Sequence, residues 1–329
     1  VSVVLIHNPM IFCKNKKERE IREGSESDVG NGLLRPLYEM KYSLIFCRNI
    51  STLSLPMLHK EAIKIISCKK TNSVPFEVLC EDGEVVYAKT MFVKYPPFCD
   101  LINEILSNYL LQLGGVSTAQ PCIVKIPQHV YDSFAREGNW RDSRYDTFDF
   151  NARLFFGVIR VEATELELYN ATLESRQDYN KYARPTDLIK IGIFDRWIGN
   201  DDRRVINPNI LLQLNEDGRF NFLAIDHTQA FGYQTDYKAL KLPLMNAPRS
   251  QSILNAQMTK RILTFAGANF LSKFEEEVLS CIGQCIANLD SIFEQVPASF
   301  GLSKKGKQKI KEVLSNTARN EEISKFLIG

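Results

Sequence analysis

The sequence predicts an α+β fold in two lobes, a small antiparallel-sheet lobe with one helix followed by a mainly helical lobe. Three observations predict it. Pro75 to Tyr95 reads as a β-rich run, a turn and a second β-rich run; Cys99 to Val116 repeats apolar residues at helical spacing; and from about Ser250 the chain is helical throughout. The 329 residues are enough for one large domain or two modest ones, each with its own core. The expected divisions are an extension over 1–38, a first lobe over 39–130 and a second over 131–329.

The elements follow in order. The opening "VSVVLIHNPMIFC" is apolar, but it has no basic stretch before it and no small-residue cleavage site after it, and a charge run follows; it reads as no signal peptide. Mixed charge with Ser and Gly sets the segment to about Tyr38 outside the fold. "SLPMLHKEAIKIIS", Ser54 to Ser67, has apolar residues at helical spacing. The hairpin then turns at Glu81-Asp82-Gly83, and its second strand is expected to close on Lys94. After Tyr95-Pro96-Pro97 comes the helix carrying Leu101, Ile105, Tyr109 and Leu110 on one face, stopped by Gly114-Gly115. "QPCIVKIP" adds a strand, and "NARLFFGVIRVE" adds a short strand or connector within an irregular stretch from Tyr131 to Tyr182. Thr186 is the expected N-cap of a helix to Asn200 that is apolar nearly all round, hence buried. "NILLQL" and "FNFLAI" form a second hairpin.

Composition removes several classes of function. With 41 basic against 39 acidic side chains, no global field recruits nucleic acid or an anionic membrane, so an anionic ligand must be held locally. No apolar run approaches the roughly 20 residues of a membrane span. Cys281 and Cys285 stand four apart in helical text, and with only four histidines in the chain the eight cysteines read as reduced thiols of a cytoplasmic protein rather than zinc ligands.

The chemistry gathers in "FDRWIGNDDRRVINPNILL", Phe194 to Leu212. Phosphoryl transfer from ATP needs a cation over the phosphates and an acid that holds it. It also needs a carboxylate toward the acceptor hydroxyl and oxygen ligands for Mg2+. Lys94 ends a strand, Glu104 lies ten residues on in the next helix, Asp202 follows the buried helix, Asn207 comes five residues later, and Asp226 closes the second hairpin. The Asp202-to-Asn207 interval matches the Asp-to-Asn spacing of the protein-kinase catalytic loop. Two acids at a helix C-terminus oppose its dipole and need a reason. Asp195, on the helix itself, reads as scaffold.

These residues resemble the HipA-like kinases, a branch of the protein-kinase-like fold similar also to type II phosphatidylinositol 4-kinases. The likeness is carried by "FVKYP" with "NEILSNYLLQLGGV", by "FDRWIGNDDR" with "NPNILL", and by "FLAIDHTQAFG", over about Ser67 to Tyr233. The resemblance implies an ATP-dependent kinase with Asp202 as base, Asn207 and Asp226 as Mg2+ ligands, Lys94 as the phosphate-binding lysine and Glu104 as its ion-pair partner. Asn209, directly before the apolar strand, is held in reserve for Asn207. The sequence departs from ordinary kinases in lacking a glycine-rich phosphate loop: "KKTNSVPF" offers only the backbone amides near Asn72 and Ser73. His227 stands where such kinases have Phe-Gly, and Arg203 and Arg204 are expected to contact phosphate or an acidic partner. Protein Ser or Thr is the implied acceptor. A nucleotide-binding pseudokinase acting as an interaction module and a small-molecule or lipid kinase are the alternatives.

Overall fold

Five strands close into a small barrel whose interior is just wide enough for side chains. The computed structural model describes residues 56–71, 73–171, 173–242 and 252–325, all within one compact unit, Leu44–Gly329; the expected extension over 1–38 lies outside the described residues. The barrel strands are β1 (Leu58–Cys68), β2 (Phe76–Cys80), β3 (Val85–Lys89), β4 (Pro121–Lys125) and β5 (Phe155–Ile159), in the order β1-β2-β3-β5-β4.

β1 replaces the helix expected over Ser54 to Ser67. Its inward residues Ala62 and Ile65 are three apart, and register shifts between Ala62 and Lys64 and between Ile65 and Ser67 show why. Bulges lengthen the strand's period of two, and the apolar spacing then imitates a helix. β1 also pairs parallel with β4, Leu58 opposite Cys122, so the sheet is not purely antiparallel. β5 joins β3 to β4, and Gly157 is required there: a Cβ would meet Val86 Cγ1 at 2.6 Å and Val124 Cγ2 at 2.7 Å.

The barrel core combines Phe76, Val78, Val86 and Ala88 with Tyr131 and Phe134 of α2 (Gln128–Arg136) and with Tyr145, Phe150 and Phe155. Packing into this core therefore runs past the expected boundary at residue 130, to Phe155 and Ile159. Aromatic pairs with centroids 4.3 Å apart, Phe76 with Tyr145 and Tyr131 with Phe150, fill it.

The larger core is built on α1 (Cys99–Leu113) and, after the short α3 (Arg176–Asn180), on α4 (Asp187–Ile198). The helices Gln257–Ala266, Ala268–Ala287 and Lys304–Leu314 pack on them. Thr186 precedes α4 without a side-chain cap; its backbone is already helical at φ −66° and ψ −12°. At the far end Gly199 adopts φ 71°, and Arg319 Nη2 donates to the carbonyls of Arg196 at 2.7 Å and Trp197 at 2.5 Å. A cation thus meets the negative end of the helix dipole, which eases the acids that follow. A small sheet joins β6 (Thr164–Glu165), which precedes α3, to β7 (Ile210–Leu214) and β8 (Phe220–Ala224), which follow the loop after α4. No helix among the described residues is long and apolar enough to cross a membrane.

Candidate active site

The lysine that closes the second strand is Lys89, not Lys94. Phe76 pairs with Ala88 and Lys89 with Phe156, and no strand continues beyond it. Val86 and Ala88 point into the barrel, so alternation turns Tyr87 and Lys89 out of it. Lys94 lies five residues past the strand, exposed, its Nζ 5.2 Å from the Tyr95 ring centre. The sequence held the signal: with the turn taken as Glu81 to Glu84, a five-residue strand on each side ends the second at Lys89.

Lys89 Nζ donates to Glu104 Oε1 and, at 3.0 Å, to Asp226 Oδ1. Burial works against the lysine's charge, but the two carboxylates outweigh it and hold its pKa above the usual value. Burial pushes Glu104 up to about 7 against the pull of Lys89. Burial also opposes the charge of Asp226, yet Lys89 keeps that carboxyl well below the usual range. Asp100, one turn before Glu104 on α1, went unnoticed in the sequence; burial raises its carboxyl, and the charges of Lys89 and Asp226 both reach it.

The β7–β8 hairpin assembles the opposite wall. Ile210 pairs with Ala224, and Ile225 N donates to Asn209 O at 3.0 Å, so Asn209 and Asp226 leave the same end of one ladder. Both residues have left-handed backbone, φ 47° and 53°. Asn and Asp tolerate that region best among residues with a side chain, and conformational cost of this kind collects at functional sites. Asn209 Nδ2 and Asn207 Nδ2 donate to Asp202 Oδ2 at 3.2 and 3.3 Å. Asn207 sits in an exposed turn whose amide and carbonyl pair with Arg204, two residues before the ladder. A groove of about 450 Å³, lined in part by Glu165, Glu167, Tyr169, Asn207 and Asn209, opens beside this loop.

Other expectations sort as follows. Ser73 lies in the β1–β2 connection, its hydroxyl 3.5 Å from that of Thr71, and Asn72 lies outside the described residues. Arg203 is 3% exposed and touches no open surface, which corrects its expected ligand contact; Arg204 is exposed, its Nε donating to Asp201 O at 3.0 Å. Asp195 is scaffold, paired with Arg203 at 2.8 Å and accepting from Asn200 Nδ2 at 3.0 Å. Asn103, which the sequence did not mark, donates to Thr228 O at 2.6 Å and Ala230 O at 2.9 Å, and so fixes the segment after Asp226. Tyr237 holds Asn103 in turn.

Among the described residues no group of three or more His, Cys, Asp and Glu is arranged to hold a metal ion alone. Mg2+ does not need such a cage, since it binds through one or two carboxylates together with substrate phosphates. The amide oxygen of Asn209 and the carboxylate of Asp226 are hard donors of the right kind. Lys89 and Thr228 both approach Oδ1 of Asp226, and its side chain is 40% exposed.

Compared with protein families, residues 63–323 match the HipA-like kinases. Comparison with curated proteins returns no match. Among solved structures, the chain is similar to the Helicobacter pylori proinflammatory kinase CtkA at 12% identity and TM-score 0.47, over 83% of this chain and 98% of that one. It is similar also to the Golgi casein kinase at 12% identity and TM-score 0.38, over 82% and 74% of the two chains. The same kinase with Mn/ADP bound matches at 13% identity and TM-score 0.36, over 82% and 73%.

Proposed function

The chain belongs to the HipA-like kinase family, and from that premise we propose that it transfers the γ-phosphoryl group of ATP to a hydroxyl, with protein Ser or Thr as the acceptor class. The convergence of Lys89 on Glu104 and Asp226 carries this reading. Lys89 takes the role first expected of Lys94: its ammonium, kept charged by two carboxylates, meets the nucleotide phosphates. Glu104 holds that ammonium in place from α1. Asp202 orients the acceptor hydroxyl and receives its proton, and the two amides donating to its Oδ2 keep the carboxylate aimed. Asp226 and Asn209 are the metal ligands, with Asn209 preferred to Asn207 because the ladder sets it beside Ile225 and Asp226. When bound there, Mg2+ neutralises phosphate charge in the transition state.

The test joins binding to turnover. ATP with MgCl2 is expected to raise the melting temperature, and the wild type is expected to label itself or a Ser/Thr peptide library with the γ-phosphoryl group. Asp202→Asn should keep the thermal shift and lose the labelling. No shift at millimolar nucleotide would reject the nucleotide reading, and labelling that survives Asp202→Asn would reject Asp202 as base. Binding without labelling in the wild type would favour the pseudokinase.

A further inference from the structure

The Arg203 guanidinium touches the loop and both hairpin ends from which Asp202, Asn209 and Asp226 project. Its Nη1 donates to Pro208 O at 2.9 Å and to Asn209 O. Its Nη2 donates to Ile225 O at 3.1 Å and to His227 Nδ1 at 3.0 Å, and its Nε pairs with Asp195 Oδ2 at 2.8 Å. Asp202 precedes it in the chain, Asn209 is bonded through its carbonyl, and Asp226 lies between the two bonded residues Ile225 and His227. The guanidinium side chain is fully buried, so none of its donors is left for a ligand.

We infer that Arg203 is a positioning residue that sets the spacing of Asp202, Asn209 and Asp226, and with it the affinity of the site for a divalent cation. The inference rests on the kinase reading. A planar fork with five donors serves a carbonyl on each side of the hairpin mouth at once, while an ammonium on a flexible stem is a single point of attachment. The two residues it braces, Asn209 and Asp226, both have left-handed backbone. A metal site whose donors shift by about 1 Å loses on the order of 100-fold in rate.

Arg203→Lys keeps the charge and removes the fork. The expected result is a kcat lower by about 10- to 100-fold and a several-fold higher half-saturating Mg2+ concentration. The thermal shift given by ATP in EDTA, which depends on Lys89, should stay as in the wild type. A merely structural role would lower the melting temperature and leave the Mg2+ half-saturation unchanged, and that outcome overturns the inference. Should Arg203→Lys fail to fold, His227→Ala removes one anchor of the guanidinium; it is expected to raise the Mg2+ requirement in the same direction, and an unchanged requirement overturns the inference. A wild type that shows no Mg2+-dependent response to ATP fails the kinase reading itself, a result distinct from either variant's.

Discussion

Two ion-pair networks meet at neighbouring residues, Lys89–Glu104–Asp226 and Asp195–Arg203–His227, and they differ in what they leave open. In the first, the Asp226 side chain is 40% exposed and the Lys89 side chain 14%; in the second, Arg203 and Asp195 are 0% and 5% exposed. The first joins the barrel to α1 and the hairpin end, with one side toward solvent. The second is closed, and its donors end on backbone carbonyls, a carboxylate and an imidazole. A buried charge whose partners are all protein groups is scaffold, because a ligand would have to displace them at the full cost of desolvation. A charge held by acids at an open edge is available to phosphate.

The closed network should break most expensively. Asp195→Ala leaves the buried Arg203 guanidinium without its counter-ion, and denaturant unfolding should show a loss of about 3–5 kcal/mol. A loss under 1 kcal/mol would mean that the backbone carbonyls alone satisfy Arg203. The open network should break in rate rather than stability: Lys89→Met is expected to lower phosphotransfer by about 10²–10³-fold while the protein stays folded by circular dichroism. A variant retaining a tenth of the activity would remove Lys89 from the phosphate role.

The next effect is smaller and depends on pH. Burial first, then the charge of Arg203, hold the His227 pKa well below its ordinary 6.5, so its Nδ1 is free to accept from Arg203 and the proton sits on Nε2. The unfolded chain binds a proton at His227 below 6.5 and the folded chain does not; stability therefore falls as pH drops below that value and is flat above it. The slope is at most about 1.4 kcal/mol per pH unit. Glu104 acts in the opposite sense, since its raised pKa favours the folded state between about 4.5 and 7 as pH falls. Comparison with His227→Gln, which accepts from Arg203 without titrating, isolates the histidine: the variant should lose less stability than the wild type between pH 7 and pH 5. Equal losses would show that His227 takes up a proton in the folded state. The smallest effect is expected of Lys94→Ala, within about 0.5 kcal/mol in stability and without change in phosphotransfer. A large loss there would return the phosphate role to Lys94.

Much of the candidate site's geometry was legible. Asp202 and Asp226 stand where element ends put them, because a helix followed by an αL glycine and a two-strand ladder are local patterns. Glu104 was legible from its interval, ten residues after Lys94 in the first turns of the next helix, although the lysine it meets is Lys89. Lys89 was missed because the strand was read to the next proline break rather than to the length its partner allows. β1 was missed because two bulges disguised its period. Arg203 was misread for a third reason: an arginine beside the proposed base looks like a ligand contact until its burial is known.

By itself the sequence determined the turns, the amphipathic character of α1 and the nearly wholly apolar character of α4, and the order of lysine, glutamate, loop acid and strand-end acid. All of these depend on neighbours within a few residues. The tertiary structure decided which lysine faces Glu104, that β1 and β4 close the barrel in parallel, and that Arg203 is sealed under Asn209 and Asp226. Those facts depend on residues as far apart as 89 and 226 meeting in space. No local propensity encodes such a meeting, since it is set by how strands register and cores close.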